Sequence, residues 1–282
     1  MTGAQPVVVV REASFRYPGG VVAVDRVSLE IAAGEVVGIA GDNGAGKSTL
    51  ARLLNGLLRP AAGSITVDGL DTRRHEVRVL ARTIGLVFQH PRSQLFARTV
   101  REELEFGPRN LGLAAAEVQA RVARVTARLG LDDVLGTSPF ELPAPRRRQV
   151  AIASVLAMEP RVLVLDEPTT GQDDRMASVV MDIVRDVSAE GSAVVCTSHD
   201  MRLLASVADR IVVMAAGRIV GDGSPRAVFA GSDMLEAAGL RAPQVTRLGM
   251  ALPRRRGLPP VLSVQELVGD LGAVRGPGPE AG

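Results

Sequence analysis

Lysine is almost missing from this sequence. Of its 33 basic residues, 32 are arginines and one is a lysine, Lys47. Wholesale arginine is the mark of a GC-rich coding sequence, so the single site that keeps lysine calls for a reason. A broad guanidinium cannot replace a compact ammonium where a narrow pocket takes one point charge. Cysteine is as scarce: Cys196 stands alone, which excludes an internal disulfide and fits a reducing compartment. No stretch approaches the ~18 apolar residues of a membrane-spanning helix. The start, Met1 to Pro6, has no basic end followed by an apolar region, so no signal peptide is expected. The formal net charge is only +2, too little to argue for a nucleic-acid partner. What is present is ordinary in bulk. With 46% apolar and 23% charged residues over 282 positions, the chain is not disordered as a whole and is long enough for one large domain or two modest ones.

Apolar runs and turn signals predict alternating strands and helices. Strands are expected at Val7–Phe15 and Val27–Ile31 around the turn Pro18-Gly19-Gly20, then at Val36–Ala40, Ser64–Val67, Ile84–Phe88, Val162–Leu165 and Ala193–Thr197. Ile211–Met214 and Arg218–Val220 read as a hairpin around Ala216-Gly217. Helices are expected at Lys47–Asn55, Asp174–Ala189 and Asp200–Ala208. Between about 90 and 150 the texture is helical, with Val118, Val122, Val125 and Leu129 at helical spacing and Gly130 as a stop. This pattern implies an α/β fold with a largely parallel sheet and an inserted helical segment. The first six residues are expected to fray, and Gly276 to Gly282 to be disordered.

Gly41-Asp42-Asn43-Gly44-Ala45-Gly46-Lys47-Ser48 fits the phosphate-binding pattern G-x-x-x-x-G-K-[ST], between a predicted strand and a predicted helix. Backbone N–H groups curled by the glycines, with Thr49 behind them, would cradle phosphate oxygens. Lys47 would reach the terminal phosphates and Ser48 would ligate Mg²⁺. The strand Val162 to Leu165 delivers Asp166 beside that loop, suited to hold Mg²⁺. Glu167 follows, suited to polarise an attacking water as a general base. His75, His90 and Cys196 form no credible metal set and read as structural.

With these residues in view the sequence resembles the ABC-type ATPases. Asp166-Glu167-Pro168-Thr169-Thr170-Gly171-Gln172-Asp173 is similar to their Walker B and D-loop. Thr197-Ser198-His199-Asp200 resembles the switch-histidine segment, Gln89 the Q-loop, and Phe15-Arg16-Tyr17 the aromatic loop that stacks on adenine. The resemblance implies that Tyr17 stacks on adenine, that Gln89 reaches Mg²⁺ and water, and that His199 bonds the γ-phosphate or the attacking water. Each has a plainer alternative: Tyr17 covering a core edge, Gln89 capping a strand, His199 satisfied in the core. A narrower likeness covers Gly85 to Pro91, Gln94-Leu95-Phe96 and Phe106 to Gly112, together with Gly239-Leu240, Pro243-Gln244-Val245 and Leu258-Pro259 through Leu267. These resemble the ATPase subunits of energy-coupling-factor (ECF) and cobalt-type transporters, importers of vitamins and transition-metal ions.

The family fold it implies is a P-loop NTPase core of ABC type, a parallel sheet plus an antiparallel β subdomain with an inserted helical subdomain. The ATPase domain would span residues 1–230, and a C-terminal extension residues 231–275. The implied activity is a transport-coupled ATPase, an EC 7-type translocase subunit. It would sit peripherally on the cytoplasmic face of the cell membrane with a transmembrane coupling subunit, a substrate-binding membrane subunit and a second ATPase subunit. In the extension, Ser263-x-x-Glu266 is a capping box, and Val264, Leu267, Val268 and Leu271 make a narrow apolar face. That face either packs on its own domain or joins the two ATPase subunits.

One motif departs from the family. Where ABC ATPases carry the signature L-S-G-G-Q, which closes over the ATP of the other subunit, this chain has Leu142-Pro143-Ala144-Pro145-Arg146. The serine hydroxyl is gone, and the prolines lack N–H groups. The expectation is an asymmetric heterodimer with a partner whose signature is intact. Alternatives are substitute phosphate contacts from Arg146 to Arg148, a regulatory subunit with little hydrolysis, or a non-transport ABC ATPase. Arg92-Ser93 also stand where ECF subunits commonly carry acidic residues.

Overall fold

A computed structural model describes residues 5–272. Its strands are β1 (Pro6–Arg16), β2 (Val22–Ala32), β3 (Val36–Ala40), β4 (Ala62–Val67), β5 (Leu70–Asp71), β6 (Ile84–Val87), β7 (Val162–Asp166), β8 (Ala193–Ser198), β9 (Arg210–Ala215) and β10 (Arg218–Gly223). Among the described residues they form two sheets. One is four-stranded and antiparallel, in the order β2-β1-β4-β5; the other is six-stranded, in the order β10-β9-β3-β8-β7-β6. The six-stranded sheet is parallel except for β10, which returns antiparallel on β9. β3, β7 and β8 are buried along their whole lengths. That is why they read as unbroken apolar runs rather than alternating ones.

Register is what positions the site. Ala40 pairs with Ser198, Asp166 with Thr197, and Val87 with Leu165. The carboxyl ends of β3, β6, β7 and β8 therefore finish level, and the loops leaving them converge. In open α/β sheets that edge is where ligands bind.

The inserted helices are Val100–Asn110, Ala115–Leu129 and Ala144–Leu156, so the helical segment runs past the expected boundary near 150. The Thr99 side chain caps the first, accepting from the Glu102 N–H at 3.2 Å. The second ends at Gly130 in the left-handed region (φ 61°) and buries Val118, Val122, Val125 and Leu129, the face read from the sequence. Two expectations at the other end need correction. β1 already begins at Pro6, paired with Ala32, so the fraying expected of residues 1–6 does not extend to Pro6; residues 1–4 lie outside the described part. β2 starts at Val22, five residues early, because Val22 and Val24 pair with Arg16 and Phe15 across bulges. The tail 276–282 also lies outside the described residues.

Past β10 the chain continues through the helices Pro225–Ala230, Ser232–Ala237, Gln244–Ala251 and Val264–Gly272. Ser263 accepts from the Glu266 N–H at 3.1 Å, as in a capping box, but Glu266 reaches back to the Leu262 N–H at 2.9 Å, one residue before the cap. That N–H, and then Arg226, hold the Glu266 carboxyl below the usual carboxylate range. Leu267 is buried, whereas Val264 and Val268 are exposed, so the narrow apolar face is split between the domain and the surface.

Candidate functional site

The loop Gly41–Gly46 joins β3 to the helix Lys47–Leu54. Gly46 is required at the cap: its φ is 103°, and a Cβ there would sit 2.2 Å from the Ala23 carbonyl oxygen. The first bond of the helix runs from the Leu50 N–H to the Gly46 carbonyl, 2.9 Å. The preceding amides keep no intrahelical partner, and they face a cleft of about 330 Å³ lined by Tyr17, Ala23, Asn43 to Thr49, Gln89 and Glu167. Amides and helix dipole together favour an anion there.

Side chains converge on this cleft from three strand ends. Lys47 is buried, with Nζ 2.8 Å from the Gly41 carbonyl, 3.1 Å from that of Asp42, and 3.2 Å from Glu167 Oε1. Nζ meets Glu167 Oε1 in ionic contact without hydrogen-bond geometry, and among the described residues that buried oxygen has no hydrogen-bond partner. Such an orphaned acceptor beside free amides suits a site that takes a further polar group. Glu167 itself sits at φ 48°, a strained conformation for a side-chain-bearing residue. Its Oε2 accepts from Thr170 Oγ1 at 3.1 Å and lies 2.9 Å from His199 Nδ1. His199 is half-exposed, so one ring edge meets the glutamate while the rest faces solvent.

Ser48 Oγ donates to Asp166 Oδ1 at 2.9 Å. The pair offers hard oxygen donors of the kind Mg²⁺ takes alongside substrate phosphates, with Gln89 across the cleft. The residues therefore fit a magnesium–nucleotide ligand. Tyr17 stands at the cleft mouth, edge-on to Phe15 with ring centroids 4.9 Å apart, its hydroxyl 3.2 Å from Thr49 Oγ1. The remaining candidates stay apart. Cys196 is fully buried, and burial pushes its thiol well above the usual range. His75 Nδ1 bonds its own chain at the Asp71 carbonyl, 3.0 Å away, and His90 is exposed.

Three residues noted in the sequence for other reasons also support the site. Thr197 is fully buried and donates to Asp166 Oδ1 at 2.6 Å, while its Oγ1 accepts from the Glu167 N–H at 3.2 Å. A hydroxyl inside an apolar strand, level with the carboxylates, was the signal available. Gln94 Oε1 accepts from the Phe88 N–H at 3.1 Å, and its Nε2 donates to the Ala151 carbonyl at 2.7 Å. Arg148 donates to the Phe88 and Gln89 carbonyls at 2.9 and 2.5 Å.

The degenerate signature opens the helix Ala144–Leu156, with Pro143 at its cap and no side-chain cap. Its arginines are engaged at home. Arg146 bonds the Asp133 carboxylate and the Gly130 carbonyl, and Arg147 the carbonyls of Pro139, Phe140 and Leu142. With Arg148 on the Phe88 and Gln89 carbonyls, all three guanidinium groups have partners within this chain.

A family model described as "ABC transporter" matches residues 24–170. The chain is 46% identical over 260 residues to the energy-coupling factor transporter ATP-binding protein EcfA2 of Symbiobacterium thermophilum, covering 90% of this chain and 89% of that protein. It is 39% identical over 257 residues to the cobalt import ATP-binding protein CbiO of Rhodobacter capsulatus, covering 90% and 92%. A solved structure, cbiO1 of Clostridium perfringens, described as part of the ABC transporter complex cbiONQ, is similar with a TM-score of 0.73 at 33% identity, over 89% of this chain and 97% of that one.

Proposed function

The chain belongs to the ABC transporter family, and from that premise we propose that it is the ATP-binding and hydrolysing subunit of an ECF-type importer for a vitamin or a transition-metal ion. The observation that carries this reading is the convergence of Lys47, Ser48, Asp166, Glu167 and His199 on one cleft at the carboxyl ends of β3, β7 and β8. In it, the loop Gly41-Asp42-Asn43-Gly44-Ala45 wraps the phosphates, its Asn43 and Ala45 N–H groups bonded to Asp42, the amides of Gly46 to Thr49 hold them, and Lys47 leaves the loop carbonyls for the terminal phosphates. Ser48, Asp166 and Gln89 hold Mg²⁺. Glu167 activates the attacking water, His199 holds Glu167 from the solvent side and contacts the γ-phosphate, and Tyr17 stacks on adenine.

The membrane partner is supported by an apolar groove of about 250 Å³ beside the Q-loop, lined in part by Leu57, Phe88, Phe96 and Phe106. Phe96 and Phe106 are half-exposed and packed edge-to-face at 4.6 Å. No helix among the described residues is long and apolar enough to cross a membrane, so attachment would be peripheral, through subunits that do. The second ATPase subunit is supported by the signature: Pro143-Ala144-Pro145 offers neither the hydroxyl nor the full set of N–H donors that an opposing ATP needs. A partner with an intact signature supplies them to this chain's cleft. The exposed Val264 and Val268 of the extension add a surface for that contact. A regulatory, non-hydrolysing subunit is favoured by the signature alone and opposed by the placement of Glu167 and His199.

Purifying the chain from its native host and identifying what accompanies it tests the reading. Two membrane proteins and a second ATPase with L-S-G-G-Q are expected. A homodimer that hydrolyses ATP without membrane proteins would overturn it.

A further inference from the structure

β6 is the edge strand of the six-stranded sheet, and its ladder with β7 ends at Val87. Phe88 and Gln89 therefore leave the sheet with backbone groups that no strand can satisfy. Side chains from elsewhere satisfy them. The Phe88 N–H goes to Gln94, the Phe88 carbonyl to Arg148 Nη1, and the Gln89 carbonyl to Arg148 Nη2. Gln94 is in turn fixed to the signature helix through Ala151 and Ser154.

Arg148 is an unusual choice for this position. Its side chain is almost wholly buried, its Nε has no partner, and among the described residues no carboxylate pairs with it. Burying a guanidinium with no carboxylate in contact is costly, even with the Asp166 charge acting on it from farther away, and an apolar side chain would fill the same space at less cost. No apolar side chain, however, can hold two successive carbonyls. The fork of the guanidinium does so, and it fixes the chain on both sides of the Gln89 peptide.

We propose that Arg148 is a positioning residue, holding the Q-loop backbone at Phe88 and Gln89 so that the Gln89 side chain enters the Mg²⁺ and phosphate site at a fixed place. The inference rests on the role of Gln89 given above. It assigns the degenerate signature helix a task within its own chain. The first turn has lost its fitness for the opposite subunit's ATP, while the next turn keeps the Q-loop in register with Asp166 and Ser48.

The test uses the purified full chain, with Mg²⁺ titrated against a fixed ATP concentration by calorimetry. Variants are Gln89→Ala, Arg148→Met, Arg148→Lys and the double Gln89→Ala/Arg148→Met. Groups that orient metal ligands typically contribute ~10–100-fold to metal affinity, so Gln89→Ala and Arg148→Met should each raise the Mg²⁺ needed for half-maximal ATP binding ~10-fold. ATP affinity without Mg²⁺ should hold. The double variant should be no worse than either single change, since both act through one side chain. Arg148→Lys, which keeps the charge but loses the fork, should fall between, with faster amide exchange confined to residues 86–94; it carries the test if Arg148→Met does not fold. An additive double variant, or loss of ATP affinity without Mg²⁺ in Arg148→Lys, would mean a merely structural arginine and overturn the proposal. Arg148 variants that leave the titration unchanged while Gln89→Ala shifts it would overturn the proposal alone. A Gln89→Ala chain with unchanged Mg²⁺ dependence would remove the Gln89 reading and this inference with it.

Discussion

The P-loop and the signature are both places where an anion should meet the first turn of a helix, and in this chain they have diverged. At the P-loop, Gly46 caps the helix Lys47–Leu54 at φ 103° and the first turn lines an open cleft. At the signature, Pro143 caps the helix Ala144–Leu156 and Pro145 occupies its first turn. The charges differ in the same sense. Lys47 has Nζ on two loop carbonyls and against Glu167, contacts that an incoming phosphate can replace. Arg146 to Arg148 are each bonded to backbone carbonyls of their own chain, Arg146 to the Asp133 carboxylate as well. A helix N-terminus is thus a phosphate site only where backbone, side-chain bulk and the commitments of nearby cations all leave room for it.

The largest expected effect removes the advantage of the P-loop half. Lys47→Ala should abolish Mg·ATP binding measured by calorimetry, and equal affinity in variant and wild type would break the comparison at its stronger side. Next comes repair of the weaker side. In the assembled complex, Pro143→Ser with Ala144→Gly and Pro145→Gly should raise turnover at the opposing site, where one restored transition-state donor is worth ~10²–10³ in rate. No gain in total turnover would mean that the signature is not what limits that site. Thr197→Val takes one hydroxyl donor from the buried Asp166 carboxylate, while the Glu167 N–H keeps the Thr197 carbonyl at 3.0 Å, so unfolding should show a loss of ~1.5–3 kcal/mol, the worth of a hydrogen bond to a charged group, with the P-loop sequence untouched. A stability unchanged by this variant would mean that the carboxylate is held by other contacts. The smallest effect is at the cleft mouth. Tyr17→Ala should weaken ATP by ~0.5–1.5 kcal/mol, the worth of one aromatic pair, whereas Tyr17→Phe should bind nearly as well as wild type.

The same contrast explains what was legible in the sequence. Gly41 to Ser48 could be read because the motif is contiguous and its requirement is local, a strand, a turn and a helix. Asp166 and Glu167 followed, because a buried parallel strand delivers whatever stands at its carboxyl end. Helix Asp174–Ala189 was bounded to the residue, since the Asp173 side chain caps it by accepting from the Met176 N–H. The anchoring roles of Arg148 and Gln94 were not legible, because Arg148 reaches Phe88 60 positions away and Gln94 reaches Ala151 57 positions away. The triple arginine could be read as three charges, but not as three anchors. Which acceptors a guanidinium finds is decided by tertiary packing.

On the proposed function, this chain's cleft is the competent one of the pair and its signature the weak one. This asymmetry is tested most directly by inactivating one glutamate at a time in the assembled complex and measuring ATP turnover. Glu167→Gln should preserve nucleotide binding and lower hydrolysis ~10²-fold or more, the weight of a general base. The equivalent change in the second ATPase subunit should leave most of the hydrolysis in place. Hydrolysis that survives Glu167→Gln and is lost with the partner's glutamate would contradict it.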